Sequence, residues 1–510
     1  MLTRVLTATC IIGLSLAIGL TAAAAQPYHQ NTGIRLSNGL KIVSVSPARE
    51  EEPAGGAIRI ASASAGRPQP PLAGFSPLIA IATSDRKSLD DFDFEHALVN
   101  SYVGQPLNSP AEDNFVIGLL DTGSVVDLVA GESAGILGLK GRYLTANDFP
   151  IGGVSGQMDT MITQPIGIFA AGLGAVRANG QLDLSQLVGH TNVAALAAPA
   201  ITCDTGEEVS AVIGTPMLAF YTTVIHVDQP RKVVVRGQTH IGPDIEIMDF
   251  YAPSAKEYPR QIPIELGGLS PMSTASYYAF PDLGGDWEDI LGEWEPIVPT
   301  LLSMMAMSLP TGGAFFTDLQ VVHGEPGPLN PLQTMRVLID TGAQSSIMSS
   351  NVAARLNLPL EPDFTVEICG IGGVSEAPGY FVDFVRINAL GGALEYGHVP
   401  FVVIDMESPE GGPLDGILGM NFFWNRNVVL EPTVGGAGFL HISDPVPYAF
   451  IDLNLDDVVD VADFAIFAAA WRTTPADPEW DSRCDFYVDA IIDARDLEAF
   501  TEAWLNTLGK

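Results

Sequence analysis

Phe115–Gly123 reads FVIGLLDTG, and Met335–Gly342 reads MRVLIDTG. Each is an apolar run ending in Asp-Thr-Gly, the pattern of a buried strand that turns sharply at glycine and delivers a carboxylate from its end. Asp-Thr-Gly followed by Ser or Ala arises by chance well under about 0.1 times in a chain of this length. Two further landmarks follow each copy in the same order. Ile151-Gly152-Gly153-Val154-Ser155 is matched by Ile371-Gly372-Gly373-Val374-Ser375, and Val212-Ile213-Gly214-Thr215-Pro216 by Ile417-Leu418-Gly419-Met420-Asn421. The distance between copies is nearly kept over the first two landmarks and shortens at the third, so the first copy carries an insertion after its glycine loop. Such a repeat predicts two lobes related by a pseudo-twofold axis, with Asp121 facing Asp340.

Around these landmarks, short β-branched runs such as Lys41–Val45, Val116–Leu120, Lys232–Val235 and Phe401–Ile404 are bounded by Gly, Pro, Asn or Asp, with 52 Gly and 37 Pro in all. That punctuation predicts an all-β architecture up to about residue 445. The length of 510 residues exceeds one compact core. The expected division is a first lobe over 26–230, its opening part a candidate propeptide, a linker over 231–260, a second lobe over 261–445 and a separate module over 449–510. Arg260–Leu266 reads as the second lobe's opening strand.

Arg4, the apolar stretch Ile11–Leu20 and Ala23-Ala24-Ala25 form the pattern of a cleaved signal peptide over 1–25, so a secreted or extracytoplasmic location is expected. No later stretch is apolar enough to span a bilayer. Beyond the signal, Cys203, Cys369 and Cys484 allow one bridge at most and fit no zinc pattern. The formal net charge of −36, with 24 Lys plus Arg, repels phosphate backbones and anionic lipid, so neither nucleic acid nor membrane is an expected partner.

Over roughly Phe115–Leu430 these landmarks resemble the pepsin and retropepsin superfamily of aspartic proteases. The resemblance implies two β-barrel lobes with Asp121 and Asp340 as the catalytic pair, requiring no cofactor, and a protein or peptide as substrate. It implies that Thr122, Gly123, Thr341 and Gly342 support the pair, with Ser124 steadying the Asp121 carboxylate, and that Gly152-Gly153 and Gly372-Gly373 are tips of flap-like hairpins. Two carboxyl groups about 3 Å apart cannot both ionise, so such a pair shares one proton, as is known of the dyad in that superfamily. The chain departs from most bilobed pepsins at Ala343, the counterpart of Ser124, and has no clear flap tyrosine. The missing hydroxyl predicts a mildly acidic rather than strongly acidic optimum.

In the tail, Asp452, Asn454, Asp456, Val458 (through its carbonyl), Asp460 and Asp463 take positions 1, 3, 5, 7, 9 and 12 of a calcium loop. Asp485, Asp489, Asp493 and Asp496 take positions 1, 5, 9 and 12 of a second. Each loop precedes an apolar stretch of helical character. The pair resembles a dockerin, a small α-helical module that binds Ca2+ and docks onto cohesin-type scaffolds. Tyr487 at position 3 and Ala490 at the turn predict weaker binding in the second loop.

Two other readings compete with proteolysis. Gly131-Glu132-Ser133-Ala134-Gly135 matches a serine nucleophile elbow, which needs a strand before it and a helix after it; the two glycines that come next argue against the helix. Alternatively the lobes are a catalytically inactive binding platform attached through the tail.

Overall fold

The computed structural model describes residues 34–35, 41–45, 67–84, 113–139, 149–153, 156–163, 166–193, 195–199, 209–249, 251–267, 275–276, 308–309, 313–324, 326–370, 373–406, 413–431 and 437–446. In the tail it describes 453, 459–473, 477, 481, 484, 486, 491–497 and 500–501. The signal-peptide segment lies outside these residues. No helix among them is long and apolar enough to cross a membrane.

The architecture is mostly β. The first Asp-Thr-Gly copy stands in a nine-stranded sheet and the second in a fourteen-stranded one. The strand Phe115–Leu120 lies between Leu78–Ser84, antiparallel, and Ala211–Ile213, parallel. Gln333–Ile339 lies in the same way between Ala314–Val322, antiparallel, and Gly416–Leu418, parallel. A central strand is covered on both faces, which is why both runs are apolar almost without alternation. Leu120, Ile213, Ile339 and Leu418 are all buried in one continuous core. Removing each such side chain from water stabilises the fold by about 1.5–3 kcal/mol.

After each Asp-Thr-Gly turn the chain makes a short strand, Leu128–Ala130 or Ile347–Met348. Each pairs antiparallel with the strand of the third landmark and parallel with a later one, Leu196–Ala198 or Leu394–Val403. The glycine-rich landmarks close hairpins between these elements. Phe149–Gly153 pairs with Gly156–Ile162, and Phe364–Gly370 pairs with Gly373–Ile387. The additional chain of the first copy includes two single-turn 3₁₀ helices, Leu173–Ala175 and Leu184–Gln186.

Residues 231–260 are not a simple linker. Thr222–Val235 and Gln238–Met248 form a long hairpin turning at Arg236-Gly237, both with positive φ. The alternation of Lys232–Val235 continues the strand begun at Thr222, so the pattern belongs to one strand rather than a connection. Thr223–Ile225 pairs with Val428–Leu430, which pairs in turn with Ala437–Ile442, beside Arg260–Gly267. The end of the first copy is thereby built into the sheet of the second. Part of the span 26–230 also leaves the first copy: Gly74 N–H donates to the Gln344 carbonyl at 2.9 Å, and Asn421 Nδ2 to the Pro71 carbonyl at 3.2 Å.

The described tail residues have their own core of Leu453, Val459, Phe467, Ala470, Cys484, Ile492 and Phe500. Phe467, in the helix Val461–Ala469, stacks on Phe486 and Phe500 at 5.9 and 5.5 Å.

Candidate active site

The structure brings Asp121 and Asp340 into hydrogen-bond contact, and both keep part of their exposure to solvent. Each acid is held from behind by the third landmark: Asp121 N–H donates to the Ile213 carbonyl at 2.9 Å, and Asp340 N–H to the Leu418 carbonyl at 3.1 Å. Each is held from the front by its own turn. Gly123 and Ser124 donate backbone N–H groups to Asp121 Oδ1 at 2.8 and 3.1 Å; Gly342 and Ala343 do the same for Asp340 Oδ1 at 2.8 and 3.0 Å.

The glycines are required for a further reason. A Cβ at Gly342 would lie 2.5 Å from Cγ of Asp121, and one at Gly123 would overlap the Asp340 carboxyl. Each turn therefore offers bare backbone to the other turn's acid.

Thr122 and Thr341 cross-link the turns and are almost wholly buried. Thr341 N–H donates to Thr122 Oγ1 at 3.0 Å, and Thr122 N–H to Thr341 Oγ1 at 3.0 Å. Thr122 Oγ1 then donates to the Ile339 carbonyl at 2.7 Å and Thr341 Oγ1 to the Leu120 carbonyl at 2.8 Å. A hydroxyl can accept one bond and donate another, and here each does both.

Burial raises the pKa of both acids, as expected for charge taken from water. Their remaining surroundings act in opposite senses. The carboxyl of Asp340 is pushed well above the usual carboxylate range by burial, then by the charge of Asp121 and the bond to it. For Asp121 the bond from Asp340 and the N–H groups of Gly123 and Ser124 oppose the burial effect. Two carboxyl groups in contact hold one proton as a pair and titrate as a unit.

Ser124 does not act as expected. Its hydroxyl donates to the Val126 carbonyl at 2.7 Å, away from the Asp121 carboxylate, and only its backbone N–H reaches that acid. Ala343 supplies the same N–H, so the Ser/Ala difference gives no reason for a mildly acidic optimum.

Gly152 and Gly153 pair with Gln157 and Gly156 at the end of the first hairpin, and Gly373 pairs with Gly370 at the end of the second. Gly372 lies outside the described residues. In the tail, Asp452, Asn454, Asp456, Val458, Asp485 and Asp489 also lie outside them. Asp460 and Asp463 cap the helix Val461–Ala469: Asp460 Oδ1 accepts from Ala462 N–H at 2.7 Å, and Asp463 Oδ2 from Asp460 N–H at 2.8 Å. Asp493 and Asp496 repeat both bonds at 2.8 Å. Among the described residues no group of three or more His, Cys, Asp or Glu could hold a metal ion.

Ser133 does follow a strand, Leu128–Ala130, and opens a four-residue helix, Ser133–Ile136, contrary to the expectation that two glycines would prevent one. That helix ends at Leu137, and Gly138 takes the positive φ that stops it. Ser133 is buried, which removes it as an accessible nucleophile.

The sixth residue after each acid is a further part of the site that the motif alone does not reveal. Gly214 N–H donates to Asp127 Oδ1 at 2.9 Å, and Gly419 N–H donates to Ser346 Oγ at 2.9 Å. Ser346 Oγ donates onward to Asn421 Oδ1 at 2.7 Å. Extending the comparison of the two copies beyond the fourth residue of the motif exposes the pair.

Residues 326–422, which include Asp340, Gly373 and Gly419, match the family described as "Aspartyl protease". Among solved structures, the aspartic proteinase from Irpex lacteus is similar at 10% identity, over 73% of this chain and 98% of that one, with a TM-score of 0.32. No curated protein matches the chain. The aspartyl protease match supports a protease-like hydrolase acting on a peptide.

Proposed function

We propose that this chain is an exported aspartic endopeptidase whose Asp121 and Asp340 activate one water molecule between them. The observation that carries the reading is the duplicated hydrogen-bond set that holds two carboxyl groups in contact. The ionised member of the pair, written here as Asp121, takes a proton from the water as its oxygen attacks the scissile carbonyl carbon. Asp340 gives its proton to the carbonyl oxygen, and a tetrahedral diol forms with no covalent bond to the protein. Asp121 then protonates the leaving nitrogen, the C–N bond breaks and a diol hydroxyl returns its proton to Asp340. Each acid ends in the state in which it began.

The hairpins ending at Gly153 and Gly373 are assigned to cover the substrate, as flaps of two pseudo-twofold lobes. The tail is assigned as a dockerin-like Ca2+ module that attaches the enzyme to a cohesin-type scaffold. Supporting this, Asp460 with Asp463 and Asp493 with Asp496 fix the last two liganding positions of both loops in one geometry.

Incubating the secreted chain with an unfolded protein between about pH 3 and pH 7 tests the enzyme. Cleavage that disappears in Asp340→Asn is expected; its absence throughout, with Ca2+ still bound by the tail, would leave the inactive platform as the reading. For the tail, calorimetric titration of the full chain with Ca2+ is expected to detect binding that Asp452→Ala weakens.

A further inference from the structure

Asp127 and Ser346 occupy the same place in the two copies and receive the same bond, from Gly214 and Gly419 respectively. They differ in what they can become. Ser346 is neutral at every relevant pH, and its hydroxyl donates a hydrogen bond to Asn421 Oδ1. Asp127 is 4% exposed, and among the described residues Gly214 N–H is the one donor to its carboxyl.

Among the described residues, the elements bonded to its loop are the strands Leu196–Ala198 and Ala211–Ile213 and the helix Thr215–Leu218, and none of them carries a titratable side chain. On its own loop the titratable group is Asp121, itself negative when active. Nothing described around Asp127 offers a positive charge.

Gly214 directly follows Ile213, whose carbonyl holds the Asp121 backbone N–H. We propose that Asp127 is a positioning residue that braces the Asp121 turn as a neutral carboxylic acid, and that its ionisation switches the site off as the medium turns from acidic to alkaline. This rests on the reading of Asp121 and Asp340 as a peptide-cleaving pair.

Desolvation raises the Asp127 carboxyl to about 7, against an ordinary value of 3.8. Above that value a buried charge with a single donor must draw in water or move, and the turn it braces carries the nucleophile's base.

The test compares the full chain with Asp127→Asn, which keeps the acceptor for Gly214 N–H and cannot ionise, and with Asp127→Ser, which copies Ser346. The readout is the ratio of kcat/KM at pH 8 to that at pH 5 on one peptide, which cancels differences in absolute rate. An ionisation near 7 that inactivates the wild type lowers this ratio about tenfold, and either variant is expected to recover that factor. The fall in the wild type should appear in kcat, with KM little changed. A pH 8 to pH 5 ratio that is equal in all three proteins overturns the proposal, whatever fall they share as the catalytic pair loses its proton.

A second readout does not need activity. The folded chain holds the Asp127 proton to about 7 while an unfolded aspartate releases it near 3.8. Stability conferred by this site is therefore full below about pH 4 and declines as pH rises to about 7. The melting temperature of the wild type should fall more steeply across that range than those of the variants. Equal slopes overturn the proposal even where no protein cleaves peptide, which would separately remove the protease reading.

Discussion

The turn at Asp121 and the turn at Asp340 agree in the hydrogen bonds that each turn makes to its own carboxyl group and differ in the layer that supports them. Around the acids, two backbone N–H donors, one carbonyl behind and one threonine across are repeated with distances within a few tenths of an ångström. One layer away the first copy uses Asp127, whereas the second uses Ser346 and Asn421. The second also carries the segment before residue 77, through Ser345, whose Oγ donates to the Leu72 carbonyl at 2.5 Å, and through Gln344 and Asn421. Groups that meet the reacting atoms must fit one shared geometry, and so stay alike. Groups that act through another residue need only hold it still, and a buried acid or a hydroxyl–amide pair can each do that.

The most severe way to break the likeness is to neutralise one acid. Asp340→Asn and Asp121→Asn are each expected to lower kcat/KM by about a thousandfold or more, because a proton-sharing pair acts as a unit. Cleavage assays under one set of conditions check this, and a loss of fivefold or less in either variant would remove the mechanism. The wild-type profile should be bell-shaped. Activity rises as the pair loses its first proton, above the ordinary carboxylate range because burial raises both acids, and falls as it loses the second.

Gly342→Ala sharpens the comparison from the other side. Its Cβ would meet the Asp121 carboxyl at 2.5 Å, so the expected effect is loss of most activity while the core remains folded. Circular dichroism and the cleavage assay together check it. Gly123→Ala should act alike on Asp340, and unequal effects would mean that one turn yields more easily than the other.

Next in size are Thr122→Val and Thr341→Val. Each leaves one buried N–H and one buried carbonyl without its partner, at about 1–3 kcal/mol per group. Equilibrium unfolding in urea is expected to give about 2–4 kcal/mol of destabilisation for each, nearly equal between the two. The double variant should lose less than the sum, because both substitutions remove bonds of the same network.

The strands that end in Asp-Thr-Gly are legible in the sequence because a strand buried on both faces has little freedom in composition, and Val116–Leu120 and Val337–Ile339 announce it. The pairing of Asp121 with Asp340 is legible because its landmarks recur in order. Two features escape for a shared reason. Residue type alone points the hydroxyl of Ser124 at the carboxylate, but a serine there has other acceptors within reach, and the Val126 carbonyl takes it. The hairpin through 231–248 reads as a linker because exposed polar residues on one face of a long strand look like a connection. Side-chain direction and long-range pairing are fixed by packing, which the local pattern does not carry.

Ser124→Ala is the smallest predicted effect and the most direct check on that lesson. It gives the first turn the composition of the second, Asp-Thr-Gly-Ala. If the serine hydroxyl held the Asp121 carboxylate, its removal would raise the acid limb of the pH profile, because a lost donor disfavours the charged form. The hydroxyl instead donates to Val126, one residue before Asp127, and the N–H that does reach Asp121 belongs to the backbone and survives the change. One partly buried carbonyl then loses a neutral bond, so the expected loss of stability is about 0.5–1.5 kcal/mol, with the acid limb unmoved. A limb displaced by half a pH unit or more would return Ser124 to the carboxylate. The difference between the turns would then begin at the fourth residue of the motif rather than behind it.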